Sequence, residues 1–145
     1  MMEPTQTPPK AKSRAKKTTD HGVVVAVRAF YLEEQSNPQT RKYVFAYRVT
    51  IENTGKKPVQ LMRRRWRIID AQGRQENVDG EGVIGEQPVI IPGKHFEYMS
   101  GTPLATPSGF MVGTYQMRDV ASGALFEVPI PVFSLDSPHA DMRIH

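Results

Sequence analysis

Tyr43-Val44-Phe45-Ala46-Tyr47-Arg48-Val49-Thr50-Ile51-Glu52-Asn53 decides the fold. Tyr43, Phe45, Tyr47, Val49 and Ile51 are apolar, and Arg48, Thr50 and Glu52 fall between them. A repeat of two places alternate side chains on opposite faces, the mark of a half-buried β-strand. Asn53-Thr54-Gly55-Lys56-Lys57-Pro58 follows and turns the chain into a second such run, Val59 to Ile69. Upstream, Val23 to Leu32 is β-branched and aromatic and stops at the polar stretch Glu33 to Lys42.

The same rhythm continues downstream. A short polar strand is expected at Arg74 to Val78, and Val89 to Ile91 and His95 to Ser100 flank the tight connection Pro92-Gly93-Lys94. Two long strands close the series, Phe110 to Asp119 and Ala124 to Phe133. Pro129 and Pro131 interrupt the last one, and a proline cannot donate to a sheet ladder, so that strand belongs at an edge or carries a bulge. No window of ten or more residues carries a 3.6-residue apolar repeat. With 11 glycines and 12 prolines in 145 residues, the chain is rich in turns and poor in helix. The expectation is an all-β, immunoglobulin-like or fibronectin type III-like sandwich of seven to eight strands.

Trp66 fits that frame. Met62, Trp66 and Ile68 share one parity, and Arg63, Arg65 and Arg67 take the other. Trp66 is therefore a candidate for the structural core between the sheets. Arg64 breaks the pattern by pointing to the Trp66 side, where its guanidinium must reach carbonyls or a carboxylate. With Trp66 on the opposite face, the arginine stripe lacks the exposed aromatic that stacking on a nucleic acid requires.

Charge divides the chain. Residues 1–20 hold Lys10, Lys12, Arg14, Lys16 and Lys17 against Glu3 and Asp20, while the other 125 residues hold 14 basic and 13 acidic side chains. A Pro-, Thr- and Lys-rich stretch buries too little apolar surface to offset its ordering entropy. Residues 1–20 are thus expected as a disordered basic leader, 21–138 as the sandwich domain and 139–145 as a flexible tail. Contacts of the leader with nucleic acid would be weak and salt-sensitive. The longest apolar run, Val23 to Val27, is far short of the roughly 18 residues of a membrane span. With no signal-peptide core and no cysteine, the expected compartment is the cytoplasm.

Chemistry-bearing motifs are few. Gly80-Glu81-Gly82-Val83-Ile84-Gly85 matches the G-x-G-x-x-G spacing, but Glu86-Gln87-Pro88 and a β-branched run follow, where a dinucleotide site needs a helix. A glycine-rich nest of N–H groups at Gly80, Gly82 and Gly85 is the surviving phosphate-binding candidate, with Asp79, Glu81 and Glu86 crowding it. His21, His95, His139 and His145 show no ligand spacing, and no nucleophile elbow occurs, so neither a metal, a cofactor nor a catalytic set is expected.

Three longer stretches carry a family resemblance. They are GEGVIGEQP at Gly80 to Pro88, PGKHFEYMSGTPLATPSGFMVGTYQM at Pro92 to Met117, and Phe126-x-Val128-x-Ile130-Pro131-x-Phe133-x-Leu135. Together with Arg64-x-Trp66-x-Ile68 they resemble the bacterial ApaG proteins over about residues 22–138. The resemblance implies a fibronectin type III-like sandwich and a proposed pyrophosphate site at Gly80, Gly82 and Gly85. It also implies a loose link to cobalt resistance and magnesium efflux. Related domains in eukaryotic F-box proteins and a polymerase-delta-interacting protein look like binding modules. The expected function is a non-catalytic module for a protein partner, with an apolar patch or open edge near Ala105 to Met111. The alternative is a binder of nucleotide polyphosphate or pyrophosphate, with or without a divalent cation, at the Gly80–Gly85 loop.

Overall fold

In the computed structural model, which describes residues 15–143, the alternating segment is strand β3, Tyr43–Asn53. Tyr43, Phe45, Tyr47, Val49, Ile51 and Asn53 are buried, and Arg48 and Glu52 face solvent. Around it lie β1 (Lys16–Asp20), β2 (Val23–Tyr31), β4 (Val59–Asp70), β5 (Gln75–Glu81), β6 (Val89–Ile90), β7 (His95–Leu104), β8 (Ser108–Asp119) and β9 (Leu125–Asp136). One sheet has the order β1-β2-β3-β7 and the other β5-β4-β8-β9, with β6 beside β4, all antiparallel. The facing sides bury Val25, Val49, Ile51, Leu61, Trp66, Met111, Tyr115, Val128 and Leu135 in one core. The chain is a two-layer all-β sandwich, as the alternation demands.

The ninth strand is the one sequence reading missed. Lys16–Asp20 falls inside the stretch expected as a disordered leader, yet it pairs with β2 from Lys16↔Val27 to Asp20↔Val23. Thr18 and Thr19 are β-branched, and β2 without β1 would leave its edge amides unpaired. The rest of the expected leader, residues 1–14, lies outside the described residues. At the other end, Pro138–Arg143 form a 3₁₀ helix where a flexible tail was expected. His139 rests its ring against Tyr31 and Tyr43, each 6.0 Å away, which fastens this segment to the first sheet.

Two bulges correct the parity. In β4 the register shifts between Leu61 and Arg63, so Leu61 and Trp66 both face the core although they are an odd five positions apart. Leu61, rather than the expected Met62, is the buried partner of Trp66 on this strand. The Met62 carbonyl accepts hydrogen bonds from Gly82 N (2.8 Å) and Gln87 Nε2 (3.0 Å). In β9, an edge strand of the ladder, the register shifts opposite Met111 to Gly113, and Ile130 and Pro131 are both buried there. That is how the strand tolerates its prolines.

The two long sides of the sandwich differ. On one, β1 and β2 pack on β9, Thr18 Oγ1 donates to Pro129 O (2.8 Å), and the His21 ring lies 4.9 Å from that of Phe126. On the other, β7 and β5 each end a sheet with one side of the strand unpaired among the described residues.

Candidate binding site at the open side of the sandwich

The glycine loop grows from the open side. β5 and β6 run along the same side of β4, and residues 82–88 bridge the gap between them. Val83 and Glu86 exchange backbone hydrogen bonds (2.8 and 2.9 Å) around Ile84 (φ 49°) and Gly85 (φ 76°). Two successive positive φ values make this a type I′ turn, anchored by the fully buried Val83 side chain. Gly82 has φ +63°, and a Cβ there would lie 2.1 Å from Glu86 O, so no other residue fits without moving the loop. At Gly80 a Cβ would sit 3.1 Å from both terminal nitrogens of Arg64, whose guanidinium lies against the glycine. The amides of Gly82, Val83 and Glu86 are committed to backbone carbonyls. After the turn the chain enters β6, so no helix N-terminus faces the loop.

Arg64 belongs to a polar cluster on the inner face. It is cross-strand neighbour to Tyr115, and its Nη1 donates to Glu81 O (3.1 Å) and Gly82 O (2.7 Å). Its neighbours are ion-paired: Arg63 with Asp79 (3.2 Å) and Glu81 (4.0 Å), and Arg65 with Asp79 (3.7 Å). No carboxylate among the described residues pairs with Arg64. The Tyr115 hydroxyl is hydrogen-bonded across the sandwich to that of Tyr98 on β7, and Ser100 stands opposite Tyr47 in the β3–β7 register. Burial pushes the pKa of all three phenols up, and the positive charge of Arg64 pulls each in the opposite direction. Trp66 is buried at the centre, edge-on to Tyr47 (5.6 Å), Phe133 (5.8 Å) and Tyr115 (6.4 Å).

On the outer face of the first sheet, Ala46 and Gly101 stand opposite one another in the β3–β7 register. Two small residues side by side leave a hollow of about 590 Å³, walled by Leu32, Val44, Met99 and Pro103 with Gln35 and Lys42 on its lining. Met99 is 49% exposed. The hollow borders the unpaired side of β7, which carries no charged side chain from Tyr98 to Leu104. Single-strand patterning could not reveal it, because Ala46 and Gly101 meet only through cross-strand pairing. Of the segment Ala105 to Met111, where a patch was expected, residues 105–107 connect β7 to β8 and Ser108 to Met111 begin β8. Thr106 Oγ1 there accepts from Ala71 N (3.0 Å) and donates to Ser108 O (2.8 Å), and Met111 is buried. The open edge lies immediately before it.

Among the described residues no three His, Asp or Glu side chains converge as metal ligands would, and no helix is long and apolar enough to cross a membrane.

Residues 33–119 match the family model of the ApaG domain. The chain is similar to Protein ApaG of Rhodospirillum centenum, 60% identical over 119 residues that cover 82% of this chain and 91% of that protein. It is 54% identical to Protein ApaG of Paramagnetospirillum magneticum over 127 residues, covering 88% and 97% of the two chains. Among solved structures, one of a Bordetella pertussis protein given the name ApaA superposes with a TM-score of 0.78 at 48% identity, covering 80% of this chain and 94% of that one. The C-terminal domain of wzt, at 9% identity and a TM-score of 0.51, shares the fold alone. A sandwich whose glycine-rich loop fills the gap between two edge strands, and whose sequence matches at this level over most of its length, belongs to the ApaG family.

Proposed function

We propose that this chain is a non-catalytic module that binds a protein partner along β7. One observation carries the reading: an unpaired edge strand lies directly beside an apolar hollow on the same sheet. An edge offers a row of amides and carbonyls to an incoming strand, and pockets beside it select the side chains of that strand. The other edge on this side of the sandwich, β5, is guarded by Glu76, Asp79 and Glu81. Any part in cobalt resistance or magnesium efflux would be exercised through that partner, in the cytoplasm. The alternative ligand, a nucleotide polyphosphate or pyrophosphate at Gly80, Gly82 and Gly85, would meet a loop whose amides are largely spent and whose flanks are acidic.

The test is affinity capture at native expression level with the unaltered chain, with Met99→Lys, and with Asn77→Lys on the β5 edge as control. A partner retained by the first and third and lost by the second is the expected result. No protein that depends on Met99 would end the reading.

A further inference from the structure

Arg64 is a charge held in place without a counter-charge. Its Nη1 is fastened by two carbonyls, its guanidinium lies flat against Gly80, and its other nitrogens find no partner among the described residues. They are not sealed in the core either, since the only buried side-chain atom left unpaired among the described residues is Ser137 Oγ. An oriented guanidinium with free donors is built for a carboxylate. Its position is equally specific. Arg64 pairs with Tyr115, and Tyr115 reaches Tyr98 of β7 by a hydroxyl–hydroxyl bond, so the charge sits inside the mouth between the two open edges.

Building on the β7 reading above, we propose that the partner is an extended peptide segment whose acidic side chain enters this mouth and pairs with Arg64. A strand added beside β7 presents alternate side chains to the two faces of the sheet. The residue opposite Tyr98, a buried inward position, points into the mouth toward Arg64. The residue opposite Gly101 points outward, into the hollow bounded by Met99 and Pro103. Tyr98 and Gly101 are three apart, so the recognised segment carries Asp or Glu three residues from Val, Leu, Ile or Met. Odd spacing places the two on opposite faces, and the two sites of the protein demand that arrangement. Charge complementarity selects this occupant over a wholly apolar strand, which would bury the guanidinium edge unpaired.

The experiment pans a random octapeptide phage library against the full chain and then measures one enriched peptide as a synthetic pair, acid and amide (Asp→Asn or Glu→Gln in the peptide). The expected result is enrichment of the acid-and-apolar pair three residues apart. The amide version should bind about tenfold more weakly, as loss of a charge-assisted hydrogen bond implies. On Arg64→Gln the acid and amide peptides should bind alike, and Arg64→Lys should fall between. Because the peptide pair is compared on the unaltered chain, the result stands even if Arg64→Gln folds poorly. Enriched peptides that are apolar without an acid, and that Met99→Lys abolishes, overturn the carboxylate and leave the edge reading intact. No enrichment, or binding indifferent to Met99→Lys, overturns both.

Discussion

The two long sides of this sandwich are finished in opposite ways. The β1–β9 side is sealed by backbone pairing to β2, a threonine bond to Pro129 and a histidine ring on Phe126. The β7–β5 side ends in two edge strands, each unpaired on its outer side among the described residues, with a tyrosine–arginine cluster behind them. Both protect the same core and each ends in two edge strands, but on the first the edges pack against each other, whereas on the second the mouth between them holds Arg64. The first side spends a side-chain bond, Thr18 to Pro129, on joining its edges, and the second keeps a charged side chain in the gap between them.

High pH breaks the open side first. Tyr47, Tyr98 and Tyr115 have pKa values raised above 10 in the fold, by burial above all. A raised pKa means the neutral phenol is the form the fold accepts, so its contribution is complete below pH 10 and is lost as pH climbs past that value. A phenol kept neutral costs about 1.4 kcal/mol per pH unit above 10, so Tyr98 and Tyr115 together remove roughly 3 kcal/mol by pH 11, and Tyr47 adds a loss in the same direction. Denaturant unfolding at pH 8 to 11 measures this, and phenolate absorbance from Tyr98 and Tyr115 should appear only with unfolding.

Next in size is Gly82→Ala, whose Cβ collides with Glu86 O, at about 2–3 kcal/mol. Gly85→Ala, with open space around it, should cost only about 1 kcal/mol for its left-handed backbone. Equal losses would show that the loop is not held as described. The sealed side is tested by comparing chains that begin at Lys16 and at His21. Losing β1 should lower stability by about 2 kcal/mol, the net worth of a few ladder hydrogen bonds. A pair of equal midpoints would mean β1 contributes nothing and the two sides are not different in kind. The smallest effect is at the hydroxyl bridge. Tyr98→Phe should cost about 1 kcal/mol, and adding Tyr115→Phe should cost less than the same change alone, because the first substitution has already orphaned its partner.

How much of this was legible follows from what a single strand can report. Alternation in Tyr43–Asn53 and in the last strand, with the prolines of β9, gave the sandwich. Arg64 advertised itself by breaking parity, and the carbonyls it needed are there at Glu81 and Gly82. Leu61 and Met62 misled because a bulge resets parity without leaving a mark on composition. Lys16–Asp20 misled because charge and proline content describe a segment alone, whereas its strand exists by completing β2. The Ala46–Gly101 hollow and the Tyr98–Tyr115 bridge were invisible, since each joins residues far apart in sequence that only the register brings together.

The bulge in β4 reaches further than the parity it corrects. Met62 is the extra residue, and its carbonyl, freed from the ladder, is the peg on which both Gly82 and Gln87 hang. Deleting Met62 would bring Leu61 and Trp66 into phase in a plain strand, so the core would survive while the loop lost its fastening. Strand irregularity and loop are thus one heritable unit. A lineage that shed either by a single-codon deletion would shed the other, and a descendant with a regular β4 should carry a shortened or rebuilt glycine loop.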